Sequence, residues 1–146
     1  MVVENTKLVR DYINPSRLPD SDFVINPYIG CPHKCMYCYA EFMKRFSKHE
    51  EDWGHFIDAK MATRKINLVK LEGATVLLSS VTDPYNPYED KYKITRSILE
   101  QLKDADIKLN IVTKSALVLR DIDLLKQFKN VSVAFSISTM NESLKK

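Results

Sequence analysis

Cys31, Cys35 and Cys38 stand in C-x3-C-x2-C spacing within eight residues and are the only cysteines of the 146-residue chain. Thiolates gathered this tightly have one economical use, to hold a soft metal centre. A closed structural zinc site takes four protein ligands, and an ordinary four-iron cluster takes four cysteines. Three thiolates on a four-iron cubane leave one iron open to a small molecule. The competing arrangement is zinc on the three cysteines and one of His33, His49 or His55. His33 lies between two of the cysteines, where reaching the same metal is awkward. A ferredoxin-like electron carrier is a further alternative.

The elements around the cysteines say where they sit. Asp22-Phe23-Val24-Ile25-Asn26-Pro27 reads as a strand, so the cysteine loop follows its C-terminal end. A helix is expected from Tyr39 to about Phe46, with Ala40, Met43 and Phe46 on one face. Residues 47–56 read as an exposed connection with Trp53 as a packing anchor. A second helix is expected over Lys60 to Leu71, where Ala62, Ile66 and Val69 recur at helical spacing and Gly73 provides the stop. Thr75 to Val81 is a buried strand, Ile94, Ile98 and Leu102 mark a helix, and Leu109 to Thr113 is a third strand. Ile122, Leu125 and Phe128 mark another helix before a fourth strand, Val131 to Ile137. Strands alternating with helices imply βαβ units and an α/β fold with a parallel sheet. Residues 1–21 read as an irregular N-terminal strap ahead of the domain at 22–146.

Each expected strand ends in polar groups: the cysteine loop, then Ser79, Ser80, Thr82 and Asp83, then Thr113 and Lys114, then Ser136 and Ser138. Sites of barrels and open parallel sheets lie at the carboxyl ends of strands, so these groups share one rim. Ser132, Ala134 and Ser136 share a face small enough to admit a ligand or to pack tightly on a neighbouring strand. With three glycines in the whole chain there is no Gly-rich phosphate loop, which excludes Rossmann and P-loop readings.

Composition sets the bounds. The chain is 45% hydrophobic and 28% charged with net charge +3, as suits one soluble globular domain. No run approaches the roughly 18 apolar residues of a membrane span. An odd cysteine count without an export signal points to the reducing cytoplasm. Lys44, Arg45 and Lys48, and Lys60, Arg64, Lys65 and Lys70, read as solvated helix faces rather than a phosphate-binding stripe.

The three cysteines, with Tyr37 just before the last, match the C-x3-C-x-aromatic-C motif, and on these residues the chain resembles the radical S-adenosylmethionine (radical SAM) enzymes. Asn26-Pro27-Tyr28-Ile29-Gly30-Cys31, Cys38-Tyr39-Ala40, Thr82-Asp83-Pro84-Tyr85-Asn86-Pro87-Tyr88-Glu89, Thr113-Lys114-Ser115 and Arg120-Asp121 resemble a narrower group, the radical SAM proteins related to spore photoproduct lyase and labelled DNA repair photolyases. The resemblance covers about Phe23 to the C-terminus. It implies a parallel (β/α) partial TIM-type barrel, of whose six βα units about four are present, so the chain reads as the N-terminal part of a longer enzyme. An open edge at the last strand would then invite self-association.

The resemblance further implies a 4Fe–4S cluster on Cys31, Cys35 and Cys38, with SAM chelating the open iron. Reductive cleavage of SAM gives a 5′-deoxyadenosyl radical that abstracts hydrogen from substrate. Tyr37 is expected near the adenine, and Ser80, Thr82 and Asp83 near the ammonium or ribose, with Asp83 the charged partner of the ammonium. Lys114 is expected on the methionine carboxylate and Ser136 on that carboxylate or the ribose. Tyr85, Tyr88 and Glu89 are expected to shape the pocket. The implied partners are a reductant such as flavodoxin or ferredoxin and, as substrate, a nucleic-acid lesion. Spore photoproduct lyase uses an additional cysteine as hydrogen donor, and this chain has no fourth cysteine.

Overall fold

A computed structural model describes residues 1–138, 140, 141 and 143. Its centre is a five-stranded sheet in the order β2-β3-β6-β7-β8. β3 (Phe23–Ile25), β6 (Thr75–Leu78), β7 (Lys108–Thr113) and β8 (Asn130–Phe135) run parallel, and β2 (Ile13–Pro15) adds an antiparallel edge. The parallel α/β architecture is the one expected. Register pairs Val76 with Leu109 and Leu78 with Ile111, all four buried, so the apolar ladder runs continuously across the middle of the sheet.

α3 (Ile94–Leu102) covers this sheet with the predicted stripe: Ile94, Ile98 and Leu102 are buried, joined by Leu99. α1 (Leu68–Leu71), α2 (Glu89–Tyr92) and α4 (Ile122–Leu125) are single turns. A 3-10 helix, Ala116–Asp121, precedes α4, so the last expected helix is a 3-10 segment joined to one α turn.

Three expectations are corrected. The N-terminal strap contains β2 and a seven-residue strand, β1 (Val3–Val9), parallel to β5 (Phe56–Ala62) in a second sheet, β1-β5-β4. β4 (Tyr28–Ile29) closes that sheet. β1 was not visible because its five central residues are exposed and show no apolar alternation. The expected helix over 60–71 is β5 followed by α1 alone. Phe56, Ile57, Asp58 and Ala59 are all buried, whereas Val69, assigned to the apolar stripe, is exposed. Gly73, with φ +72, does end α1. Tyr39–Phe46 is a 3-10 helix that buries only Ala40.

Trp53 anchors the 47–56 connection as expected, edge-on to Phe56 at 5.7 Å between ring centres. Lys60 belongs to β5 rather than to a solvated helix face; burial lowers its ammonium to about 8.

Beneath the sheet's C-terminal rim, one carboxylate ties three segments together. Glu89 is fully buried; its Oε2 accepts from the Tyr28 hydroxyl and the Thr95 N–H, and its Oε1 from the Arg96 N–H and Arg120 Nη2. The first N–H groups of α3 have no intrahelical partner, and its N-cap, Lys93, offers no side-chain bond. Glu89 takes the place of that cap, and its negative charge suits the helix N-terminus. Removing it leaves Tyr28, two amides and an arginine facing a buried void. Glu89→Ala is expected to cost about 3–5 kcal/mol in guanidinium unfolding, as for one partner deleted from a buried ion pair. A loss under about 1 kcal/mol would show the network to be dispensable.

Candidate functional site

The cysteine loop leaves β4 through Gly30, at φ +85. A Cβ there would stand 2.3 Å from the Phe56 carbonyl oxygen, so the loop passes β5 at a distance only glycine allows. Two turns follow, Lys34 N–H to Cys31 O at 3.4 Å and Cys38 N–H to Cys35 O at 3.1 Å. They fold the loop back over the sheet, and the three cysteines line one cavity of about 370 Å³. That volume falls within the range of about 300–1,000 Å³ typical of small-molecule sites.

The remaining expected site residues open onto the same cavity: Tyr37, Ser80, Thr82, Asp83, Lys114 and Ser136. Four further polar residues join them, His33, Tyr39, Ser79 and Thr113. Ser79 and Thr113 were marked by their place at strand ends, and Tyr39 by its place next to Cys38. His33 had been considered only as a zinc ligand. Tyr85, Tyr88 and Glu89 do not line the cavity, contrary to expectation; Tyr85 and Glu89 are buried beneath it.

Ser79 is a non-glycine residue at φ +66 that turns the chain off β6, while its N–H extends the pairing to Ile25 O at 2.7 Å. Its hydroxyl bonds the Thr82 carbonyl and lies 2.8 Å from Thr82 Oγ1. Asn26 Oδ1 accepts the Ser80 N–H at 2.9 Å, and the Tyr39 hydroxyl bonds the Ser80 carbonyl. The β6 loop is thus held by its own polar groups before any ligand arrives.

Lys114 reaches across the rim. Its ammonium donates to Tyr37 OH at 3.0 Å and to Ser136 Oγ at 2.9 Å. The bond to Tyr37 raises the lysine's affinity for its proton, and hydrogen bonds from Ser138 and Lys114 lower that of the Tyr37 phenol. Among the described residues no carboxylate stands within ion-pair distance of Lys114, so an exposed cation faces the cavity with two hydroxyls as its hydrogen-bond partners.

Asp83 behaves differently. Its side chain is 7% exposed, and its oxygens accept from Tyr85 N–H, Thr113 Oγ1 and Lys114 N–H at 2.9, 2.6 and 2.8 Å. His33 Nε2 lies 3.3 Å from Oδ2 without the alignment of a hydrogen bond. Burial alone would raise this carboxyl, but the donors around it outweigh burial and hold it below the ordinary range.

Three thiols opening onto one cavity are a donor set of the kind that holds an iron–sulfur cluster. Zinc–thiolate bonds of about 2.3 Å require sulfurs about 3.8 Å apart on one tetrahedron. Among the described residues no group of three or more His, Cys, Asp or Glu side chains is gathered as a site for a single metal ion. A cubane places each thiolate on a different iron and asks for wider spacing. Of the candidate fourth ligands, His49 is committed elsewhere: Nε2 lies 2.8 Å from Asp58, Nδ1 3.2 Å from Glu51, and the ring stacks on Phe56 at 3.9 Å. Only His33 of the three histidines shares the cavity with the cysteines.

Comparison with known proteins gives a consistent picture. The family model of the Radical SAM superfamily matches residues 25–146. An uncharacterized protein of Methanocaldococcus jannaschii is 40% identical over 134 residues, covering 92% of this chain and 51% of its own length. An uncharacterized protein of Acidianus two-tailed virus is 34% identical over 132 residues, covering 82% and 43%. The chain therefore spans about half the length, or less, of these curated relatives. A structure of spore photoproduct lyase complexed with dinucleoside spore photoproduct superposes with a TM-score of 0.65 at 17% identity, covering 92% of this chain and 39% of that one. A spore photoproduct lyase mutant with bound AdoMet gives 0.61 at 18% identity, with the same coverage. At these identities the structural likeness is one of fold. Among the described residues no helix is long and apolar enough to cross a membrane.

Burial raises the Cys31 thiol, against the opposing pull of N–H groups from Asp83 and His33, while Cys35 and Cys38 are only half-buried. In the reduced, metal-free protein at pH 8, the buried Cys31 therefore alkylates more slowly with iodoacetamide than the half-buried Cys35 and Cys38. Peptide mass spectrometry over a time course reads this directly. Labelling of Cys31 ahead of Cys35 and Cys38 would contradict the geometry.

Proposed function

The chain belongs to the radical SAM superfamily, and from that premise we propose that it holds a 4Fe–4S cluster on Cys31, Cys35 and Cys38 and binds SAM in the adjoining cavity. The observation that carries the reading is that three thiols, an ammonium without a carboxylate partner and a row of strand-end hydroxyls open onto one cavity. Loaded in this way, the site supplies reductive cleavage of the sulfonium to a 5′-deoxyadenosyl radical, which abstracts hydrogen from a substrate.

The chain's own groups bind and orient. Lys114 is the cation for the methionine carboxylate, through a charge-assisted hydrogen bond, and Ser136 stands beside it as a further donor. Tyr37 forms the wall on which the adenine rests, its hydroxyl fixed by Lys114. The β6 loop presents Ser80 and Thr82 along the cavity already ordered. Asp83 enters this reading through the segments it holds, since its oxygens are occupied. The electron comes from a small carrier of the flavodoxin or ferredoxin type. The substrate class is a nucleic-acid lesion, the class suggested by the dinucleoside spore photoproduct held by a protein of the same fold.

Anaerobic reconstitution of the intact protein is expected to give a brown, air-sensitive product with four irons per chain. Its reduced electron paramagnetic resonance signal changes when SAM is added, and dithionite yields 5′-deoxyadenosine. Alanine at Cys31, Cys35 or Cys38 abolishes that product. Lys114→Met weakens SAM binding by about tenfold or more, the worth of one charge-assisted bond. One zinc per chain with no iron would reject the proposal, as would an intact four-iron sample that leaves SAM uncleaved.

A further inference from the structure

Asp83 is expected to meet a ligand ammonium, yet its surroundings already supply three donors to its carboxylate. A carboxylate offers about four lone-pair sites. Three are taken by donors within 2.9 Å, and His33 Nε2 stands at 3.3 Å over the fourth. An incoming ammonium would have to turn the His33 ring aside or displace a backbone amide or the buried Thr113 hydroxyl. The donors come from different parts of the rim: Tyr85 from the β6 loop, Thr113 and Lys114 from the end of β7, and His33 from the cysteine loop. Asp83, His33 and Cys31 line the same cavity.

We propose that Asp83 is a positioning residue whose carboxylate fastens the β7 end to the β6 loop and thereby sets where the Lys114 side chain starts along the cavity. The proposal rests on reading the cavity as the cluster and SAM site, and it moves Asp83 from the ligand set to the frame. Two consequences follow. The Lys114 ammonium is placed through its backbone, which Asp83 grips, so affinity for any ligand gripped by Lys114 depends on Asp83 whether or not that ligand carries an amine. The buried negative charge beside Cys31 also opposes adding an electron to a cluster held there.

The test compares wild type with Asp83→Asn, both reconstituted and matched for iron. Binding of S-adenosylhomocysteine and of its desamino analogue, which lacks only the amine, is measured by isothermal titration. The cluster's reduction potential is measured without ligand. Asp83→Asn keeps the size of the side chain but sets an amide donor against existing donors. The expected result is a loss of about three- to tenfold for both ligands by the same factor, with a reduction potential higher than that of wild type. A loss confined to the amine-bearing ligand would make Asp83 an ammonium ligand and overturn the proposal. So would an unchanged or lowered potential. Should Asp83→Asn fail to retain iron, Thr113→Val keeps the carboxylate and removes one of its donors. It is expected to weaken both ligands equally, and a loss limited to the amine-bearing one would again overturn the proposal. Wild-type protein that takes up no four-iron cluster would instead refute the functional reading on which the proposal stands.

Discussion

The constraint on which the rest depends is the satisfaction of two buried carboxylates by donors that belong to segments far apart in sequence. Glu89 has no exposure to water, so every lone pair must find a partner inside the protein or cost free energy. Its partners are the hydroxyl of Tyr28, the leading amides of α3 and the guanidinium of Arg120. Tyr28 stands two residues before Gly30, where the chain enters the cysteine loop. The same carboxylate that starts α3 therefore fixes the origin of the loop. Asp83 does the corresponding work a layer higher, at the rim. Between them the two acids relate the cysteine loop to β6, β7 and α3 through hydrogen bonds rather than through apolar contact alone.

This division of labour explains why the rim can be polar without being loose. Ser79, Thr82 and Asp83 are all buried, a costly placement for groups without partners. Each is bonded to its neighbours, so the loop is ordered by its own chemistry. Lys114 and Tyr37 are the exception. Both are exposed and bridge the cavity from opposite sides, which leaves their polar atoms available to a guest. Frame residues and contact residues thus separate by burial: saturated and sunk, or exposed and shared.

Much of this was legible in the sequence, for reasons that can be named. The cysteine spacing and the polar residue at each strand end are one-dimensional signals. The parallel sheet turns adjacency along the chain into adjacency on a rim. The apolar spacing of Ile94, Ile98 and Leu102 gave α3 because one face of that helix meets the core. β1 and β5 were not legible, since β1 exposes its middle and β5 buries Asp58 against His49 inside an otherwise apolar run. Ala62, Ile66 and Val69 mimicked a helix because three residues at the right spacing do not require a common face. The roles of Asp83 and Glu89 were hidden for a different reason. A carboxylate near a site looks the same in sequence whether it meets a ligand or holds the walls, and only the count of its partners separates the two.

The middle of the cysteine loop has one more property. Lys34, the last residue of the spacer between the first two cysteines, adopts φ +52, and its side-chain stem lies against the α-carbon of Gly54, where an added Cβ would stand 2.7 Å from Lys34 Cγ. The spacer is therefore clamped from above by the segment leading into β5, as Gly30 is clamped from the side by Phe56. A residue inserted between Cys31 and Cys35 would have no room to bulge toward Gly54 and would push the second cysteine along the rim. The number of residues separating the sulfurs is in this sense a measurement of the gap beneath β5, and the N-terminal sheet acts as the gauge that keeps it.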